Sequence, residues 1–303
     1  MRVYMTRVGF EVGERVGNRV RTGAWAAGGR LRRTAVRVVA VGAAVGGLAS
    51  CGTDREVTYA GGTLEKLVPE DEKRGRELAT EAMTLFRDAD SVRIGVEMDT
   101  PKGHQKVSLL MDRNSNCTGT FDAGPAQRGD IIMIAGGSTY VRFSEAALAE
   151  IRRMAAARGP ETAARVRERT ALASGKYLKI PTGPGGGAKR VMPVNSCDLD
   201  KFTAAMPGSP GPDDVIKALP ATRRHGTAVI PLVENEEEGD RTSVYVAAQG
   251  KPYLLGAEVE ENGRTMEMRM SEYGEPVSAV APTAAETVDI SKVGPAGGGL
   301  FEV

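Results

Sequence analysis

The run Thr265-Met266-Glu267-Met268-Arg269-Met270-Ser271 alternates polar and apolar side chains without a break. Successive side chains of a strand point to opposite faces, so this pattern demands a strand with one dry and one wet side. A single strand cannot bury its dry side and therefore needs partners. Asn262-Gly263, just upstream, supplies the first: both residues accept positive φ, and the pair predicts a hairpin back to a strand over 253–260. The same period of two returns at Val92, Ile94, Val96 and Met98, and again at Val107, Leu109 and Met111. Polar turns at 101–104 and 112–116, a short strand opening at Cys117, and a Gly136-Gly137 turn between 129–135 and 139–143 complete the pattern. Residues 91–143 thus predict a meander of about five short antiparallel strands.

Helical spacing interrupts the strands. Glu70-Asp71-Glu72 place negative charge in a first turn, and Leu78, Ala82, Leu85 and Phe86 form one apolar face behind it. Ser144 is an N-cap for a helix with Leu148, Ile151, Met154 and Ala155 inside, and Pro160 opens another running to about Ser174. Short helices are expected at 198–206 and 213–219, joined by a proline-glycine loop at 207–212. Further strands are expected at 176–180, 227–233, 243–248 and 277–280. Strands, then helices, then strands describe an α+β fold with an antiparallel sheet, not a parallel α/β fold.

The N-terminal part follows other rules. Arg30, Arg32, Arg33 and Arg37 form a positive region, and Val36 to Leu48, almost wholly small and apolar, leads into Leu48-Ala49-Ser50-Cys51. A run of about a dozen residues is shorter than the ~20 a membrane-spanning helix needs, and suits the apolar region of a secretory leader. Leu48, Ala49 and Ser50 then read as a lipobox, with Cys51 as the residue that is lipidated after cleavage. Two export routes remain open, since Arg32-Arg33 fits a twin-arginine signal only loosely. Residues 1–29 carry no clear pattern, as an overlong start would.

Cleavage at that point divides the charge. The chain of 303 residues has a formal net charge of +1, yet its first 50 residues hold nine arginines and two glutamates. The remainder, with 31 basic and 37 acidic residues, carries −6. A mildly acidic mature chain offers no basic patch for nucleic acid. An exported chain meets oxidising surroundings, so Cys117 and Cys197 read as one disulfide, the alternative being two buried free thiols.

Motifs for chemistry are missing. His104 and His225 lie in expected turns, and neither has a second ligand at helical spacing, so no metal site is expected. No Gly-x-Ser-x-Gly elbow, Ser-x-x-Lys pair or dinucleotide fingerprint occurs. The chain is expected to be no enzyme and to need no cofactor. Its suggestive feature is apolar: Met266, Met268 and Met270 share one strand face. Methionine adapts to varied apolar partners, so these three are candidate cavity residues, ordinary sheet core being the alternative.

Several short motifs, in order and spacing, resemble the LppX/LprG-type lipoproteins of actinobacteria, related in fold to the LolA periplasmic carrier. They are the lipobox ending in Cys51; Asp112-Arg113-Asn114-Ser115-Asn116-Cys117-Thr118-Gly119-Thr120; Gly136-Gly137-Ser138-Thr139-Tyr140; and Ser196-Cys197-Asp198-Leu199. Pro252-Tyr253-Leu254-Leu255 and Ser271-Glu272-Tyr273-Gly274-Glu275-Pro276-Val277, followed by Ala281-Pro282, continue the series. The resemblance implies a large curved antiparallel sheet, a half-barrel, with helices packed over its concave face around an apolar cavity. It also implies a chain anchored to the outer face of the cytoplasmic membrane through Cys51, binding or carrying an acylated lipid or lipoglycan without chemistry. The alternative is an anchored protein-interaction or sensor domain with a filled core. The expected organisation is a leader at 1–50, a lipidated cysteine and tether at 51–68, the lipid-binding domain at 69–290 and a glycine-rich tail at 291–303. The long glycine-proline loops at 183–187 and 207–212 depart from the family pattern.

Overall fold

The computed structural model describes residues 68–100, 103–181, 197–206, 209–211, 214–235, 241–261 and 264–290. The leader, the lipobox at 48–51, the tether up to residue 67, the loop at 183–187, the hairpin pair Asn262-Gly263 and the tail lie outside the described residues.

The chain opens with α1 (Glu70–Asp88) and the meander β1 (Ser91–Thr100), β2 (Gly103–Asp112), β3 (Cys117–Asp122), β4 (Arg128–Met133) and β5 (Ser138–Phe143). Then come α2 (Glu145–Ala156), α3 (Pro160–Ala173), β6 (Tyr177–Pro181) and α4 (Leu199–Ala205). The final part is β7 (Ile216–Ala218), β8 (Thr222–Arg224), β9 (Thr227–Asn235), β10 (Arg241–Ala247), β11 (Leu254–Glu261), β12 (Arg264–Ser271) and β13 (Thr287–Asp289).

All thirteen strands join one open sheet in the order β13-β6-β5-β4-β3-β2-β1-β12-β11-β10-β9-β7, with β8 on β9 beside β7. The five-strand meander forms its middle, and the alternating strand β12 closes against β1 with Met266 opposite Met98. One pair departs from the antiparallel expectation: β13 runs parallel to β6. The 272–286 connection is long enough to deliver a strand in either direction, which a hairpin turn is not.

Other expectations need correction. The helix expected over 213–219 is instead the strand β7, bonded to β9 from Ile216 to Ala218. Seven residues barely repay helix nucleation, and β-branched Val215-Ile216 met an open sheet edge. Residues 277–280 form no strand, and the unpredicted β13 lies further on. Gly103 and His104 belong to β2, not to a turn.

Register assigns the faces. Met270, Ile94, Leu109, Gly119, Ile131, Val141 and Leu178 align across seven strands. The six side chains in that row are at most 2% exposed. The helices cover this face: Ala82 and Phe86 of α1, Ala147, Leu148, Ile151 and Ala155 of α2, and Val166 and Ala173 of α3 belong to the same core. Each fully buried side chain of this kind contributes roughly 1.5–3 kcal/mol. Met154 does not join them and is 37% exposed, so the inner face of α2 runs through Ala147 instead. Ser144 caps α2 by accepting from the Ala147 amide at 3.2 Å.

Two glycines permit close approach. Gly75 of α1 faces the Ile216 carbonyl of β7, where any Cβ would overlap that oxygen. Gly129 on β4 stands between Phe121 and Phe143 in the register, and the two rings meet edge to face over it at 5.9 Å. The ends are tied down by polar contacts. Arg113, in the β2–β3 turn, donates to the Arg87 carbonyl at the end of α1 and to Asp200 of α4. Tyr273 donates to the Leu254 carbonyl at 2.5 Å, and Ser91 Oγ to the Glu275 carbonyl at 2.5 Å.

Candidate functional site

The alternation of β12 sends Met266, Met268 and Met270 to the helix-covered face and Glu267 and Arg269 to the other. The three methionines are not equivalent. Met268 and Met270, 5% and 2% exposed, are core. Met266 is half-buried at its edge and stands beside Met98 of β1 and Val259 of β11, both also half-buried.

This row extends at both ends into polar residues. Gln105 is the register partner of Met98 on β2, and Thr242 that of Val259 on β10. Both are 7% exposed. Thr242, Val259, Met266, Met98 and Gln105 thus form a strip across five strands: two adaptable methionines and a valine with a polar group at either end. An apolar lining with few placed polar groups is the common chemistry of a small-molecule site. The adjoining row, Ala257, Met268, Val96 and Val107, is buried, so the strip marks where the apolar face stops being sealed. Gln105 and Thr242 were missed in the sequence reading, although Gln105 is in phase with Val107, Leu109 and Met111.

The opposite end of the face is closed. Cys117 and Cys197 form a disulfide, with Cα atoms 5.6 Å apart, that joins β3 to the residue before the cap of α4. Asp198 caps α4 by accepting from the Lys201 amide at 2.9 Å. Behind that cap Leu199 is fully buried, and Phe202 meets Phe86 of α1 edge to face at 6.2 Å. Thr139, one strand beyond Met133 in the Cys117 row, is fully buried and its Oγ1 has no hydrogen-bond partner. Cys51, Leu48, Ala49 and Ser50 lie outside the described residues.

The wet face carries a chain of ion pairs. Lys106 meets Glu97 at 2.6 Å, Arg269 lies 3.7 Å from Glu97 and 3.0 Å from Glu267, and His225 meets Glu267 at 2.8 Å. Arg224 joins Glu258 at 2.7 Å and stacks 4.2 Å over the Tyr245 ring. Burial works to raise the Glu267 carboxyl, but hydrogen bonds from Arg269 and His225 and the charge of Arg224 outweigh it and hold that carboxyl at about 2. Among the described residues no three His, Cys, Asp or Glu side chains are grouped to hold a metal. Nor is any described helix long and apolar enough to cross a membrane.

No family model and no curated protein matches the sequence. Solved structures do. The chain is similar to LprF from Mycobacterium bovis, with a TM-score of 0.44 and 10% identity, over 70% of this chain and 98% of that one. It is similar to the lipoprotein LppX of Mycobacterium tuberculosis, with a TM-score of 0.38 and 10% identity, over 69% of this chain and all of that one. A LolA superfamily protein from Nitrosomonas europaea matches 65% of this chain and 91% of its own, at 9% identity and a TM-score of 0.23. At these scores no functional residue is transferred from one chain to another.

Proposed function

We propose that this chain is an exported lipoprotein, anchored through Cys51 to the outer face of the cytoplasmic membrane, whose 69–290 domain binds or carries an acylated lipid or lipoglycan without catalysing a reaction. The observation that carries the reading is the strip Thr242, Val259, Met266, Met98 and Gln105, whose three apolar side chains are half-buried between two buried polar ends, beside a fully buried row. Flexible methionines fit acyl chains of differing length, and each CH₂ they cover contributes ~0.8 kcal/mol before the costs of binding. Gln105, at one end of the strip, supplies the hydrogen bond to an ester or hydroxyl of the ligand. The lipobox and the −6 charge of the mature part agree with this location.

Native mass spectrometry of the delipidated protein mixed with envelope lipids tests the reading. One acylated ligand retained per chain, and lost in a Met98→Glu/Met266→Glu variant that still folds, is the expected result. Folded protein that retains no acylated species defeats it. The burial of Met268 and Met270 favours a second reading, a packed domain that binds a protein, and that null result would leave it standing.

A further inference from the structure

The wet face holds a second feature, remote in chemistry from the apolar strip. A cleft of about 310 Å³ opens over β2–β5, lined by Lys106, Thr120, Asp122, Arg128, Asp130 and Arg142 beside Phe121, Gly129, Phe143 and Ser144. That volume is at the lower end of ligand clefts, roughly 300–1,000 Å³, so it suits a compact group.

Strand register makes the lining. Lys106, Asp122 and Arg128 stand in one cross-strand row; Thr120, Asp130 and Arg142 stand in the next. Each acid is flanked by a base, and the two guanidinium groups come from adjacent strands at diagonal positions. Lys106 is also paired with Glu97 at 2.6 Å, so the cleft carries no excess charge, and what it offers an anion is the open donors of its two guanidinium groups.

The carboxylates orient the cations without exhausting them. Asp122 accepts from Arg128 Nε at 2.7 Å and from the Gly124 amide at 3.1 Å. Asp130 accepts from Arg142 Nε at 2.9 Å and Nη2 at 2.7 Å, while the Arg142 guanidinium lies 4.7 Å over the Tyr177 ring. A guanidinium has five N–H donors. Both Nη groups of Arg128 and the Nη1 of Arg142 therefore remain for a further acceptor among the described residues. Two held guanidinium forks beside an ammonium and a hydroxyl match a tetrahedral oxyanion.

We infer that this cleft binds a phosphate ester or free phosphate, held by Arg128 and Arg142 with Lys106 and the Thr120 hydroxyl assisting. The inference does not depend on lipid binding at the methionine strip. Isothermal titration calorimetry of the full chain in nonionic detergent, with inorganic phosphate and with glycerol phosphate, tests it. Cosedimentation with phosphatidylglycerol vesicles, with and without glycerol phosphate as competitor, separates a headgroup source from a soluble one.

Saturable binding is expected, weakened about tenfold or more in Arg128→Gln and in Arg142→Gln, as loss of one charge-assisted contact requires. Lys106→Gln should weaken it without touching either guanidinium, which covers the case of an arginine variant that fails to fold. Arg93→Gln should bind as the unaltered chain does, because Arg93 pairs with Glu272 at 2.7 Å outside the cleft. Vesicle binding displaced by glycerol phosphate assigns a lipid headgroup; binding of phosphate alone assigns the soluble anion. Absence of saturable binding in the millimolar range, or equal binding by Arg128→Gln, Arg142→Gln and Lys106→Gln, overturns the proposal.

Discussion

Thr139→Val should make the protein more stable. Thr139 is fully buried on the helix-covered face, between Met133 and Ile180 in the register, and its hydroxyl has no partner. A buried hydroxyl without a hydrogen bond costs about 1–3 kcal/mol, and valine has nearly the same shape and an equal preference for strands. The substitution removes the penalty and leaves the packing in place, so a gain of about 1–2 kcal/mol is expected. For a domain of this size that corresponds to a rise in Tm of roughly 2–8 °C. Urea titration followed by circular dichroism reads it as a higher midpoint at unchanged slope. Thr139→Ser is the control: it keeps the hydroxyl, loses a methyl and should cost about 1 kcal/mol. If Thr139→Val instead lowers the midpoint, the hydroxyl is bonded in solution and the reasoning about this site fails.

Gly75→Ala gains up to ~1 kcal/mol of helix propensity but drives a methyl into the Ile216 carbonyl, so a net loss of about 1–3 kcal/mol is expected by thermal denaturation. Cys117→Ser/Cys197→Ser should cost as much as ~4 kcal/mol of stability, read as a lower unfolding midpoint, since the bridge spans 80 residues; an unchanged midpoint would count against any role for it. The Glu267 carboxyl is depressed in the folded state, so its contribution is fully present above about 4.5 and is lost as pH falls from there toward about 2. After discounting for solvent on this open face the effect is roughly 1–2 kcal/mol. Stability measured against pH in Glu267→Gln should lack that part of the acid slope.

Local patterning sets the strands of the meander, because an alternating pattern has only one way to keep its apolar side dry. It likewise determined the Ser144 cap and the faces of β12, both set by spacing along a few residues. It did not determine β7, β8 or β13, each three residues long. Strands that short carry no period of their own and exist because a longer neighbour offers unpaired backbone groups. Helical spacing points Leu85 and Met154 inward, yet Leu85 lies off the core and Met154 faces out, since the position of the sheet, not the helix alone, chooses among adjacent apolar residues. The methionines show the same division. Alternation placed Met266, Met268 and Met270 on one face. Long-range packing makes two of them core and brings Met266 beside Met98, Gln105, Val259 and Thr242 at its edge, because depth below a surface depends on which distant strands and helices pack alongside.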